Sequence, residues 1–371
     1  AALAMPQSLT EVEGRAVGDE LERTLTLEAG EARASATAAE RDTPVSEEAR
    51  ALYAEERVLA AAEALERAGL SSGGGEWERR VLAEAARARE LERTFCSVYD
   101  GSDGGAEWQS QYTLDSKTTI KYRPTAGSVT EEQDDAAGGG EHGESGAPAP
   151  SDTRFECEFL CETIAEESIF VNLLCVLNEA DLYTEWLPSW SFPVKLQIRR
   201  SEVLETRGRA SKMIRVRVDL PWPWAPREVV LDAVAVDALP REILVTVNSL
   251  GEGGDGTDPA RPCVPPAEEG VIRTGFNGGF RFERAEATPE LGPTVRVSCL
   301  MNLDPKVRSV PMWLLTFVVR TVLPLLWAYL LRTARSVGNG RANAHAQRME
   351  ERKEVYDWIR GRVTHLCADA R

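Results

Sequence analysis

One segment constrains this chain more than any other. Residues 310–331 hold seven Leu, four Val and a single charge, Arg320, and are followed by Arg332, Arg335 and a stop signal at Gly338. As a helix this run would be on the order of 35 Å long, at about 1.5 Å per residue. A helix that is apolar nearly all round must be buried in a protein or lie in lipid.

What precedes it reads as strand. Residues 116–122 and 154–164 have strand character, and residues 167–176 and 179–186 read as two short helices. Period-two runs then follow at 195–205, 211–218, 228–237, 242–248, 280–286 and 294–303. In residues 211–218, Ile214, Val216 and Val218 share one face and Arg215 and Arg217 the other. Strands this close in sequence predict an antiparallel meander, which can keep one face solvated while the other is covered. Gly275, Gly278 and Gly279 read as a turn before a strand. The long apolar helix is the natural cover for the sheet's other face.

The rest of the chain divides by composition. Residues 1–45 carry almost no large apolar side chain after Leu27 and read as disordered. Residues 46–98 form a helical hairpin, with Ser46 as N-cap and apolar residues at helical spacing, and serve as a packing or spacer element. Insertions at 125–151 and 251–270 are rich in Gly, Pro and acids and read as flexible. The tail, 337–371, reads as a basic amphipathic helix, either a solvated appendage or a membrane-surface contact.

Charge excludes one class of function. The net charge is -17, yet from Lys306 onward there are 12 bases and 5 acids. Nucleic-acid binding rests on clustered Lys and Arg over phosphate, so an acidic chain with one basic end fits an anionic membrane surface better. Seven cysteines at irregular spacing do not read as a disulfide framework. No glycosylation sequon occurs, and the chain opens without a basic stretch before an apolar run. A cytoplasmic protein, peripheral at a membrane surface, is the expectation.

Three motifs then carry a family resemblance: residues 182–188 (LYTEWLP), 219–228 (DLPWPWAPRE) and 302–315 (NLDPKVRSVPMWLL). In this order and at these distances they resemble steroidogenic acute regulatory protein-related lipid-transfer (START) domains. The resemblance covers residues 108–336, with a domain expected over 99–336. It implies an α+β helix-grip fold, a curved antiparallel sheet wrapped around a long C-terminal helix, with the helical hairpin in front. It further implies a hydrophobic cavity that binds one lipid, transport of that lipid between membranes, and no enzymatic chemistry or cofactor. The resemblance leaves open whether the lipid is a sterol, phospholipid or sphingolipid, and the oligomeric state is left open as well.

A lipid tail needs only burial, while its head needs a few fixed polar partners. Candidates are the polar residues that interrupt apolar runs: Asp232, Arg296, Asn302 and Arg320. A charge inside an apolar run is costly unless paired, so Asp232 or Arg320 is expected to point into the cavity. Trp186, Trp222, Trp224, Trp313 and Trp327 are candidate lipid contacts, with Trp222 and Trp224 in a Pro-rich loop that could gate entry. His142, His345 and His365 sit in a linker and a polar tail, which argues against a His-based catalytic site. Cys157 and Cys161 would lie about 13 Å apart on a strand, too far to share a metal, so no metal site is expected. Two alternatives stay open: residues 310–331 as a transmembrane anchor, and a protein-interaction scaffold without lipid.

Overall fold

The computed structural model describes residues 44–70, 75–105, 107–112, 118–126, 128–130, 155–189, 196–220, 222–251, 264–288, 292–307, 309–339 and 343–367. The segment read as disordered (1–45) and the insertions at 125–151 and 251–270 fall largely outside these residues.

The described chain opens with α1 (Pro44–Ala54), α2 (Val58–Arg67) and α3 (Glu76–Asp100). The first arm of the expected hairpin is thus two helices. The break falls at Glu56, whose φ of 63° is left-handed and whose carboxylate accepts the Arg209 backbone N–H at 2.7 Å. Strands β1 (Gln109–Tyr112), β2 (Thr118–Ala126), β3 (Ser128–Thr130) and β4 (Glu156–Glu166) follow. Next come α4 (Glu167–Asn178), a 3-10 turn at Ala180–Leu182 and α5 (Tyr183–Trp186). The meander continues through β5 (Gln197–Arg207), β6 (Ser211–Asp219), β7 (Arg227–Ala238), β8 (Glu242–Ser249), β9 (Ile272–Arg273), β10 (Gly275–Thr288) and β11 (Gly292–Asp304). After β12 (Ser309–Pro311) the chain ends in α6 (Met312–Val337), α7 (Ala344–Glu351) and α8 (Lys353–Cys367).

The main sheet runs β1-β2-β4-β11-β10-β8-β7-β6-β5, antiparallel throughout, with β9 parallel to β7. Register shifts in the β2/β4, β5/β6 and β10/β11 pairs add local bend, as bulges do. One face grips α6, so the architecture is the helix-grip α+β fold.

The convex face is covered too over much of its area, which departs from the expectation of a solvated one. The pattern of β7 explains why. Leu231, Ala233 and Ala235 alternate with Asp232, Val234 and Val236, so apolar side chains project both ways. On the convex side Val234, Val236 and Leu244 pack against Ala61, Ala62, Ala85 and Ala88 of the N-terminal helices. Further along, Leu91 and Phe95 of α3 meet Leu160 and Leu300. The glycines read as a turn lie within β10, and one of them serves this contact: a Cβ at Gly279 would stand 2.5 Å from Leu91 Cδ2. Gly278, at φ 151°, could carry a Cβ only by running into the Leu300 carbonyl.

On the concave side α6 runs 26 residues, about 39 Å at 1.5 Å per residue. It contains a π-helical turn at Val318–Val322, directly before Pro324. A proline there offers no N–H to the Arg320 carbonyl and crowds it, and the wider turn absorbs the misfit.

The tail is no appendage. Met349, Tyr356, Val363 and Leu366 belong to the same core as α4, α6 and the concave strands, and Tyr356 is fully buried. His345, placed by the sequence in a polar tail, is buried as well.

Candidate lipid-binding cavity

Between the concave face and its helical cover lies a cavity of about 460 Å3. Its floor is built by alternation: Ile214 and Val216 on β6, Val229, Leu231, Ala233 and Ala235 on β7, Val245 and Val247 on β8, Phe276, Phe280 and Phe282 on β10, Cys299 and Met301 on β11. The roof is Leu174 and Leu177 of α4, Tyr183 and Trp186 of α5, and Leu323, Leu326, Trp327 and Leu330 of α6. From Phe276 to Phe282 the floor extends about 20 Å, at roughly 3.3 Å per residue. A lipid tail reaches about half the thickness of the ~30 Å hydrocarbon core of a bilayer, roughly 15 Å, and so fits this length.

The two ends of the cavity differ. The β6–β7 loop, the start of β10 and the end of β11 meet at one end, where the walls are Val216, Val229, Phe276 and Met301. The outer surface at this end carries Trp222 in the β6–β7 loop, 91% exposed, and Met312 and Trp313 at the start of α6, 39% and 44% exposed. The opposite end, at the β5–β6 turn, is polar. Asn178, Lys212, Arg209, Asp237, Glu56 and Arg362 line it, together with Trp358 of α8. Two guanidiniums approach the Trp358 ring, Arg209 at 5.1 Å and Arg362 at 5.3 Å from its centre. Arg362 also pairs with Asp237 at 2.7 Å.

Lys212 is the buried cation of the floor. Its Nζ donates to the Asn178 carbonyl at 2.9 Å, at the C-terminal end of α4, and lies 4.0 Å from Glu179. Burial lowers its pKa from the ordinary lysine value. The thiols of this region move the other way. Burial pushes Cys161 up to about 12 and Cys299, on the floor, well above its usual value, so neither offers a thiolate. Among the described residues no group of three or more His, Cys, Asp or Glu side chains is arranged to hold a metal.

Of the residues singled out from sequence, Trp186 and Trp327 line the cavity. The polar candidates do not. Asp232 faces the convex side, where Arg87 of α3 reaches it at 2.8 Å and Arg207 pairs with its other oxygen. Arg320 is exposed on the outer face of α6, and Arg296 is exposed on the convex face of β11. Asn302 is half-buried in a smaller groove under α3, beside Asn248 and Asn277. The expectation that Asp232 or Arg320 points into the cavity is therefore corrected. Asp232 is paired by an element more than a hundred residues earlier in the chain, and Arg320 reaches water. Trp222, Trp224 and Trp313 lie outside the lining.

No family model matches the sequence, and no curated protein matches it either. Solved structures do. The STAR-related lipid transfer protein (fragment 25–204) from Xanthomonas axonopodis is 18% identical over 62% of this chain and 99% of its own, with a TM-score of 0.39. Human STARD10 is 11% identical over 72% of this chain and 85% of its own, with a TM-score of 0.43. Human StAR-related lipid transfer protein 5 is 13% identical over 68% and 98%, with a TM-score of 0.41. These are likenesses of fold, and what the cavity can hold follows from its own residues.

Proposed function

We propose that the protein binds one lipid in the cavity under α6 and carries it between membranes, without enzymatic chemistry. The observation that supports this reading is the hollow itself, about 460 Å3 walled almost entirely by apolar side chains. Its volume falls within the usual range for small-molecule sites, ~300–1,000 Å3. Left dry and empty, an apolar space of this size would cost up to about 11 kcal/mol at ~24 cal/mol per Å3, as much as the stability of a whole domain. A scaffold without ligand has no reason to carry that cost. A tail of a dozen methylenes would contribute about 10 kcal/mol on entering, at ~0.8 kcal/mol per CH2.

The apolar end is the route of entry in this reading. Trp222, Met312 and Trp313 present amphipathic and apolar side chains at one end of the molecule, where they can dip into a membrane interface. The protein then works from the cytoplasm as a peripheral visitor to membranes. Native mass spectrometry of the purified protein tests the binding: one lipid per chain is expected, and a chain that stays ligand-free after incubation with mixed lipid vesicles overturns the reading. Transfer is tested by movement of a fluorescent lipid between donor and acceptor vesicles.

A further inference from the structure

The polar end of the cavity says what kind of head the ligand carries. Lys212 projects from β6 on the same side as Ile214 and Val216, into the hollow. An ammonium has three N–H donors, and one of them is used, on the Asn178 carbonyl at 2.9 Å. Glu179, at 4.0 Å, is beyond hydrogen-bond reach of Lys212 and is fully engaged elsewhere. It accepts from the Tyr356 hydroxyl at 2.6 Å and pairs with Arg352 at 3.1 Å and Arg348 at 3.4 Å. Arg348 in turn holds Asp181 at 2.8 Å. The fully buried Glu179 is thus shared among three cations, Lys212, Arg348 and Arg352, while Arg348 has two further carboxylates nearer the solvent, Asp181 and Glu351 at 3.5 Å.

Of the three, Lys212 stands farthest from Glu179, and it is the cation with spare donors that faces the cavity. Apolar walls cannot satisfy those donors, and a buried ammonium whose donors go unmet is expensive. Resting on the reading of the cavity as a lipid site, we infer that the bound lipid bears an oxyanion head, a carboxylate or a phosphate, seated against Lys212 with its tail running toward the apolar end. Burial lowers the pKa of Lys212 and Glu179 opposes the shift, so an oxyanion seated against the ammonium would oppose it further.

Two pairs of ligands, the members of each sharing a chain and differing in the head, test this. Binding of oleic acid and of oleyl alcohol is measured by calorimetry on the full chain, alongside lysophosphatidic acid and its neutral counterpart monoolein. The expected result is a preference of about tenfold or more for the anionic member of at least one pair, the scale of a hydrogen bond to a charged group. The pair with the larger preference identifies carboxylate or phosphate. In Lys212→Met the preference collapses toward one while the neutral ligand binds as before, and in Lys212→Arg the preference survives. Equal binding of charged and neutral partners by the wild-type chain overturns the inference while leaving the lipid reading intact, and needs no variant that folds. A preference that persists in Lys212→Met also overturns it. If none of the four binds, the lipid reading itself fails. Inorganic phosphate alone serves as the last arm: stabilisation by phosphate without a chain, equal to that by lysophosphatidic acid, would assign Lys212 to a free anion and overturn the lipid head.

Discussion

Val245 stands at the centre of the cavity floor, paired across the sheet with Ala235 on β7 and Phe280 on β10. It is partly accessible although this face of the sheet is covered, because the hollow itself reaches it. Val245→Phe would add four carbons to the floor and exclude a similar number of ligand methylenes. At ~0.8 kcal/mol per CH2 the ligand loses about 3 kcal/mol, which is roughly two hundredfold in Kd. The same carbons would bury themselves in empty space, so the ligand-free protein should gain up to a similar amount, and its Tm should rise by several degrees at ~2–4 °C per kcal/mol. Calorimetric titration and thermal unfolding of the same preparation give both numbers. The paired signature matters. If the region were already packed, the larger ring would cost about 1–3 kcal/mol as overpacking and Tm would fall. A lowered Tm with unchanged ligand affinity would refute the cavity as the binding site.

Three further outcomes follow from named contacts. Asp232→Ala leaves Arg87 and Arg207 without their shared carboxylate and should cost about 3 kcal/mol in urea unfolding, the scale for breaking a buried pair, with ligand affinity unchanged. His345 is held below its ordinary pKa by burial, so the unfolded chain binds more protons below about pH 6.5 and stability falls as the pH drops through that window; His345→Gln should flatten the fall, read from urea midpoints between pH 7 and 5. Trp222→Ser combined with Trp313→Ser removes the two most exposed rings at the apolar end and should weaken vesicle co-sedimentation by about tenfold or more, at ~1.5–3 kcal/mol per buried side chain, without lowering the affinity for lipid in solution.

Much of the fold was legible because alternation and helical period are local. The strands at 211–218, 228–237 and 242–248 lie within a residue or two of β6, β7 and β8, and the helix read at 167–176 is α4. What local pattern cannot carry is which parity of a strand faces inward. Asp232 interrupts an apolar run and invites the inner face, yet the parity of β7 puts it outward, and the guanidinium that satisfies it comes from α3. Lys212 was missed although its signal was present. It shares parity with Ile214, Val216 and Val218, whereas Arg215 and Arg217 stand on the other parity, so it is the one charge on the apolar face of its strand. The tail shows the same limit in helical form. Its stripe of Met349, Trp358, Ile359 and Val363 fits a membrane surface, a solvated appendage or a core equally well, and only the concave sheet decides for the core.

The helix that opened the sequence reading turns on a similar comparison. By length and composition α6 could cross a bilayer. Its inward residues, however, are already buried: Val319, Val322, Leu323, Trp327, Leu330 and Leu331 are each at most 9% exposed against α4 and the concave strands. At ~1.5–3 kcal/mol for each such side chain, lifting α6 from the sheet would forfeit on the order of 10 kcal/mol and strip the apolar floor of its cover. The outward face offers a bilayer little in return. Arg320 and Arg332 bound an uncharged stretch of 11 residues, about 17 Å at 1.5 Å per residue and well short of a ~30 Å hydrocarbon core. A span extended past Arg320 would carry that charge near its middle, at about 2.5–3.5 kcal/mol. The apolar composition that makes α6 resemble a membrane span is thus accounted for by its place in the grip of the sheet. The large apolar side chains it leaves exposed, Met312, Trp313 and Leu325, are too few to line a span.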